Sequence, residues 1–179
     1  MTFIESETIE LKSSVVADLC KEVIAFANTR GGTLYIGVED NGTVIGVDSA
    51  DRVTLQIDNM VRDSIKPDIT MFVHYETQVI NDKQIIAVTV QEGTDRPYYL
   101  GSKGLKPSGV YVRNGTSTDP ASDTAIRKMI KETDGDSFET MRSLEQNLSF
   151  QAAEAQFAKR KVPYDAAKMQ TLGMVSSDD

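Results

Sequence analysis

The spacing of apolar residues near the start of the chain predicts a helix. From residue 15 to residue 27 apolar side chains recur at steps of three and four, as one buried helical face requires. Ser14 is the expected N-cap, and Gly31-Gly32 supplies the left-handed backbone that commonly ends a helix. We therefore predict the first helix over residues 14–29.

A two-residue alternation replaces that pattern after the glycines and predicts a strand over residues 33–40. Asn41-Gly42 follows, a pair that is typical of a two-residue hairpin turn. Residues 43–47 are therefore expected to pair antiparallel with the strand.

The middle of the chain repeats the order of a helix followed by strands. Apolar positions on one face predict a helix over residues 50–65, and Pro67 forbids its continuation. Residues 70–80 and 84–92 alternate on either side of an Asn-Asp pair, so we expect them to form a longer hairpin.

The last strand pattern is short, and helical patterns follow it. Residues 110–113 are predicted as a strand and residues 122–132 as a helix. The predicted fold class is α/β (α+β): a mixed, mostly antiparallel sheet covered by the three helices, with a helical C-terminal extension. We place the sheet domain at residues 1–135 and the extension at 136–179. Apolar residues just before Asp179 have nothing after them to pack on, so we expect the native polypeptide to continue.

Composition excludes several classes of site. The single cysteine, Cys20, and the single histidine, His74, rule out an internal disulfide and zinc sites built from these residues. Cys20 lies on the apolar helix face and is expected to be an inert core residue, while His74 lacks a partner for general-base chemistry. The sequence has neither an apolar run long enough for a membrane span nor a signal peptide, so a cytoplasmic protein without membrane contact is expected.

Charge is distributed unevenly along the chain. The formal net charge is −8, but residues 96–131 contain seven basic and only two acidic residues. Such a segment could line a surface that follows backbone phosphates of DNA or RNA. The helical lysines also fit a simple solvated face. The candidate phosphate-binding residues are Lys103, Lys106, Arg113, Arg127, Lys128 and Lys131.

Tyrosines accompany this basic segment. Tyr98, Tyr99 and Tyr111 could stack on unpaired bases, as aromatic side chains do in proteins that bind single strands. They also fit half-buried strand positions.

Acidic residues of the N-terminus and of the first predicted turn form the second candidate site. Glu5 and Glu10 have opposite parity, so a bend between them is required before both can face one point. With a carboxylate from Glu39-Asp40 they could then hold Mg²⁺ or Mn²⁺ through oxygen ligands, which suits phosphate chemistry. The same acids also fit a solvated edge.

Four stretches of sequence resemble a known family. Glu-Ser-x-x-x-Glu-Leu-Lys from Glu5 and Ala-Phe-Ala-Asn-Thr-x-Gly-Gly-Thr-Leu-Tyr-Ile-Gly-Val-Glu-Asp-Asn-Gly from Ala25 are similar to motifs of the Schlafen AlbA-like domain family. Arg-Pro-Tyr-Tyr-Leu from Arg96 and Val-Tyr-Val-Arg-Asn-Gly-Thr-Ser-Thr-Asp-Pro-Ala from Val110 resemble its later motifs. The resemblance spans residues 3–132.

The resemblance implies a function in nucleic-acid biology. Schlafen nucleases cleave structured RNA with three acids, which fall on Glu5, Glu10 and Asp40 here as catalytic residues and metal ligands. Bacterial members usually precede a winged-helix segment in transcriptional regulators. The nucleases combine two lobes, so a chain with one lobe is expected to form a homodimer.

Three functions follow as hypotheses. The first is a nucleic-acid-binding domain of a bacterial transcriptional regulator, and the alternative is a metal-dependent endoribonuclease of Schlafen type. The third is a dimerisation platform whose surface charges have no ligand. No ATP site is predicted, because Gly31-Gly32 and Gly37 lack the Lys and Ser/Thr of a P-loop and do not form a dinucleotide-binding fingerprint.

Overall fold

The computed structural model describes residues 3–133, 150–162 and 165–171. The chain divides into two compact units, Met1–Glu139 and Thr140–Asp179. In chain order the strands and helices are β1 (Ile9–Lys12), α1 (Leu19–Ala27), β2 (Gly32–Ile36), α2 (Ala50–Ser64), β3 (Ile65–Lys66), β4 (Val73–Ile80), β5 (Lys83–Val90), β6 (Tyr99–Leu100), β7 (Tyr111–Asn114), β8 (Ser117–Pro120), α3 (Asp123–Thr133), α4 (Gln151–Lys159) and α5 (Ala166–Thr171).

A four-stranded sheet in the order β1-β2-β5-β4 forms the centre of the first unit. β1 pairs parallel with β2, whereas β2 with β5 and β5 with β4 are antiparallel. Two short antiparallel pairs, β3 with β6 and β7 with β8, lie outside this sheet. The predicted fold class, a mixed and mostly antiparallel sheet with helices, is confirmed.

Helix α1 is the most deeply buried helix of this unit. Seven of its nine residues are buried, including Leu19, Val23 and Ile24. It packs against helix α2, against β2 and β5 of the main sheet, and against β6, β7 and β8 of the small strand pairs. Its apolar repeat is therefore explained by contacts that tie the two short pairs to the main sheet.

The predicted start of the first helix is wrong. The helix begins at Leu19 after the N-cap Asp18, and Ser14 does not cap it. Residues 13–18 form bends and turns in which Leu19 N–H bonds to the Val16 carbonyl. Val16 continues the apolar spacing by coincidence, since it is exposed, whereas Val15 packs against the main core from the turn before the helix.

The first predicted hairpin is reduced to a single antiparallel bridge, Val38 with Val44. Both edges of β2 are already occupied by β1 and β5. The strand ends at Ile36, and Gly37 follows with a φ of +95°, which turns the backbone out of an extended path.

The second helix and the longer hairpin are confirmed. Ser49 caps α2 by accepting from the Arg52 N–H, and Pro67 follows the helix as predicted. Asn81 and Asp82 both have positive φ, as a two-residue turn of type I′ between β4 and β5 requires. β8 was not predicted, because the polar sequence Ser-Thr-Asp-Pro has no strand pattern.

In the second unit α4 and α5 are helical, in agreement with the predicted helical extension. The short helices expected around Phe138–Leu148 and the break at Pro163 lie outside the described residues. Across the three described ranges, none of the helices combines the length and apolar character needed to cross a bilayer.

Candidate functional site

Residues 101–109, which we call the basic loop, present two of the predicted phosphate-binding lysines. Leu100 N–H bonds to the Gly109 carbonyl at 2.9 Å, and the Lys103 and Gly104 N–H groups both bond back to Leu100 at 2.9 Å. A Cβ on Gly109 would lie 2.2 Å from the Gly104 carbonyl oxygen, so the loop closes on itself more tightly than a side chain allows. Lys103 and Lys106 are exposed on this fixed backbone.

Helix α3 presents the other three cations. Ile126 and Met129 bury one face of the helix in a small core with Val110 and Ala121. The opposite side of the helix is exposed and carries three basic residues, one of which, Lys128, lies 3.6 Å from Glu132. These residues are Arg127, Lys128 and Lys131.

The basic loop and α3 are joined through the same small core. Tyr99 and Val112, which lie on the strands before and after the loop, pack against this core. Ala121 N–H also bonds to the Val110 carbonyl at 2.9 Å, which ties the start of α3 to the end of the loop. The five exposed cations are therefore carried by connected elements of one unit.

Lys66 extends the basic loop and was missed by the sequence analysis. It is exposed and lies opposite Tyr99 in the β3-β6 pair. Gly101 N–H bonds to the Ser64 carbonyl at 2.8 Å, which places the loop beside the end of α2. Because residues 49–95 carry a net negative charge, the local charge pattern drew no attention to this lysine.

Arg113 was predicted to contact phosphates, and the structure contradicts this placement. Its side chain is only 1% exposed. The guanidinium donates to Glu10 Oε2 at 2.8 Å, to Glu22 Oε2 at 3.3 Å and to the Ser6 carbonyl at 2.8 Å. It also lies 5.0 Å from the centroid of the Phe26 ring. A charge-rich sequence motif cannot distinguish such a buried cation from a surface one.

Glu22, the second carboxylate that contacts Arg113, was not predicted as a site residue from the sequence. It faces β8 from α1, where it accepts from both Arg113 and the Thr118 hydroxyl. Burial raises the pKa of the Glu22 carboxyl, and the nearby charge of Glu10 raises this pKa further, whereas Thr118, Lys12 and Arg113 oppose the rise. A glutamate within the apolar stretch of a buried helix was the available clue.

The three predicted metal ligands occupy different settings. The required bend is present, because Ser6 and Ile9 form a bridge that reverses the chain between Glu5 and Glu10. Glu5 Oε1 accepts from the Leu11 N–H at 3.4 Å, whereas Glu10 is buried and bonds to Lys12 and Arg113. Asp40 is exposed at the turn after β2.

These settings do not fit a three-carboxylate metal site. Within residues 3–133, 150–162 and 165–171, no group of three or more His, Cys, Asp or Glu side chains is arranged to hold a metal ion. Asp40 instead lines an open polar depression of about 350 Å³ with Ser13, Glu39 and Asn41. The catalytic and metal-binding roles of Glu5, Glu10 and Asp40 stay predictions.

The tyrosines differ in their accessibility. Tyr98 is fully buried in the main core, so it cannot stack on a base. Tyr99 and Tyr111 are half-buried, and the Tyr111 hydroxyl donates to the Ser108 carbonyl of the basic loop at 3.1 Å. Tyr99 and Tyr111 therefore fit the alternative prediction, that of half-buried strand positions.

The chain was compared with protein families, curated proteins and solved structures. The sequence profile of the family described as Schlafen, AlbA_2 matches residues 5–122. The N-terminal domain of a RecG-related protein from Nitrosomonas europaea is 29% identical, with a TM-score of 0.49 over 63% of this chain and 82% of that one. The DIP2311 protein from Corynebacterium diphtheriae is 16% identical, with a TM-score of 0.54 over 96% of this chain and 33% of that one. None of the curated proteins compared with the chain matches it significantly.

Proposed function

The chain belongs to the Schlafen, AlbA_2 family, and we propose that it binds the phosphate backbone of a nucleic acid through the basic loop and the exposed face of α3. The contacting residues in this proposal are Lys103, Lys106, Arg127, Lys128 and Lys131. Arg113 is not among them because its guanidinium is buried.

One observation carries the proposal: among the described residues, four of the five exposed cations of this surface have no acidic partner. In the described part of the chain, Lys103, Lys106, Arg127 and Lys131 form no ion pair with an acidic side chain. Lys128 has only an exposed i,i+4 partner, a kind of pair that contributes little. The surface therefore keeps its charge for an anionic ligand.

A net charge of −8 does not contradict this function, because a nucleic acid responds to the electrostatic potential of the surface that it contacts rather than to the net charge of the protein. Segment 96–131 carries an excess of basic residues, whereas the acidic excess lies elsewhere in the sequence. Each phosphate that Lys or Arg neutralises releases counterions from the nucleic acid, which makes binding favourable at low salt and sensitive to added salt. Interactions with the backbone position a protein without selecting a sequence.

We further propose that the domain serves in a bacterial transcriptional regulator and acts as a homodimer. Family membership and the basic surface support the nucleic-acid part of this role. A dimer would present two such surfaces to one ligand and raise its avidity without new contacts. Light scattering of the purified protein tests the dimer, which requires a mass of twice 19.7 kDa.

The geometry does not favour the endoribonuclease alternative over binding. A cation at Glu10 would meet the positive charges of Lys12 and Arg113 in direct contact with the same carboxylate. The alternative retains a simple assay, which is cleavage of structured RNA in the presence of Mn²⁺ or Mg²⁺.

The experiment measures binding of short labelled RNA and DNA by fluorescence anisotropy over a range of salt concentrations. Replacement of all five cations by alanine should lower affinity at least about tenfold at low salt. The slope of log K against log salt should also become shallower, by about 0.7 to 0.9 for each phosphate that the variant no longer neutralises. Lys66→Ala should have a smaller effect in the same direction.

Arg52→Ala provides the matched control. Arg52 is exposed on α2 and has no ion pair among the described residues, so the change removes one cation without touching the proposed surface. Equal losses of affinity from Arg52→Ala and from each surface lysine would show that only net charge matters. Undiminished binding by the five-residue variant would contradict the proposal.

A further inference from the structure

Four charged side chains meet beneath the β7-β8 pair, and we call them the ion network. Arg113 of β7 lies between Glu10 of β1 and Glu22 of α1, at 2.8 Å and 3.3 Å respectively. Lys12 of β1 contacts the other oxygen of Glu10. Exposed fractions of the three central side chains are 1% for Arg113, 8% for Glu10 and 14% for Glu22.

The network connects parts of the chain that are far apart in sequence. The Arg113 guanidinium also donates to the Ser6 carbonyl at 2.8 Å and to the Thr118 hydroxyl at 3.1 Å. A planar guanidinium with several donors suits such a junction, since it can bond to several acceptors at once. One arginine therefore holds the residues before β1, helix α1 and both strands of the β7-β8 pair.

Glu10 has no oxygen free of a cationic partner. Lys12 Nζ bonds to Oε1, and Arg113 Nη1 bonds to Oε2. A divalent cation bound to either oxygen would lie beside at least one positive charge that is already in place, and at this depth water screens the repulsion poorly. Both carboxylate oxygens of Glu10 are therefore occupied by cationic side chains of the protein.

We propose that Glu10 is the buried counter-ion of Arg113, and that this pair fastens the β7-β8 pair to β1 and α1 in place of a role in metal binding. The proposal does not depend on nucleic-acid binding, because neither of its measurements involves a nucleic acid.

The proposal predicts that Glu10→Gln has opposite effects on stability in the wild type and in the Arg113→Met variant. In the wild type, Glu10→Gln removes a partner of Arg113 and should destabilise the fold. After Arg113→Met, however, Glu10 and Glu22 are two buried carboxylates without their shared cation. In that background Lys12 is the one cation left for two carboxylates, so Glu10→Gln removes the excess negative charge and should stabilise the fold.

Thermal unfolding of the full chain, followed by near-ultraviolet circular dichroism, tests this reversal. We expect Arg113→Met to lower the midpoint by about 10 °C and Glu10→Gln to lower it by about 5 °C. The double variant should melt above the Arg113→Met single variant. If Arg113→Met does not fold, a double variant that does fold supports the proposal in the same way. Glu39→Gln, at an exposed turn, is the control and should shift the midpoint by no more than about 1 °C.

A metal titration separates the two roles of Glu10 directly and needs only the wild type and Glu10→Gln. After treatment with a chelator, each protein is melted with and without Mn²⁺, and the shift caused by the metal should be the same for both. A metal-induced rise in the wild-type midpoint that Glu10→Gln abolishes would overturn the proposal. A double variant that melts below Arg113→Met would overturn it as well. So would a failure of both Arg113→Met and the double variant to fold while Glu10→Gln alone is as stable as the wild type.

Discussion

Asn28 and Tyr98 are joined by hydrogen bonds in both directions. Asn28 Oδ1 accepts from the Tyr98 backbone N–H at 2.7 Å, and Asn28 Nδ2 donates to the Tyr98 carbonyl at 2.9 Å. The same Nδ2 donates to the Tyr111 carbonyl at 2.9 Å. One buried side chain after α1 thus fixes the entry to β6 and the start of β7, the two strands that flank the basic loop.

Asn28→Asp should destabilise the fold by at least about 3 kcal/mol. A carboxylate cannot donate, so it would place a buried negative charge against the carbonyl oxygens of Tyr98 and Tyr111, with the Tyr98 N–H as its remaining partner. Urea unfolding gives the change. Asn41→Asp is the matched control, because Asn41 is exposed and uses an oxygen to accept from the Thr43 N–H at 2.8 Å. Similar destabilisation by the two variants would show that the Asn28 hydrogen bonds contribute little.

Gly109→Ala should disrupt the basic loop. The new methyl group would overlap the Gly104 carbonyl oxygen, which is backbone and can move only with the loop. We expect a drop of about 1 to 3 kcal/mol in stability and a weaker affinity for nucleic acid, because Lys103 and Lys106 would no longer have a fixed backbone.

Gly101→Ala is the comparison within the same loop. Its added methyl group would meet the flexible Lys66 side chain at 3.3 Å, which can shift at little cost. Binding by Gly109→Ala at the level of Gly101→Ala would contradict the claim that the closed loop positions the lysines.

The buried carboxyl of Glu22 should make stability depend on pH. Burial raises its pKa above the usual 4.5, so the folded state holds this proton at pH values where the unfolded state has lost it. The contribution of Glu22 to the free energy of unfolding should therefore fall as pH rises from 4.5 through the folded-state pKa. Urea unfolding of the wild type and Glu22→Gln across this range isolates the effect. A wild type that gains stability relative to the variant over that interval would show the opposite sign.

The sequence predicted those elements whose cause is local. The apolar repeat and Pro67 define α2 within its own sequence, and Asn81-Asp82 defines the turn between β4 and β5. The parallel pairing of β1 with β2 depends on a crossover through α1 and could not be seen in a two-residue alternation.

The candidate site was predicted in part for the same reason. Lysines on a glycine-rich loop and on one face of a helix are exposed wherever the element packs, so Lys103 and Lys128 were placed correctly at the surface. Arg113 is different, because its burial is set by Glu10 and Glu22, which lie far away in sequence. Pairing over such distances is a property of the fold and cannot be seen in a local charge count.

The central claim, that the basic loop and α3 contact a nucleic acid, is tested most directly by nuclear magnetic resonance. Backbone amide signals are followed while a short RNA or DNA strand is added to the full chain at low salt. The account predicts that the largest shifts fall on residues 101–109 and 123–131 and diminish as salt is added. Shifts confined to the depression around Ser13 and Asp40, or no shifts with any nucleic acid, would contradict it.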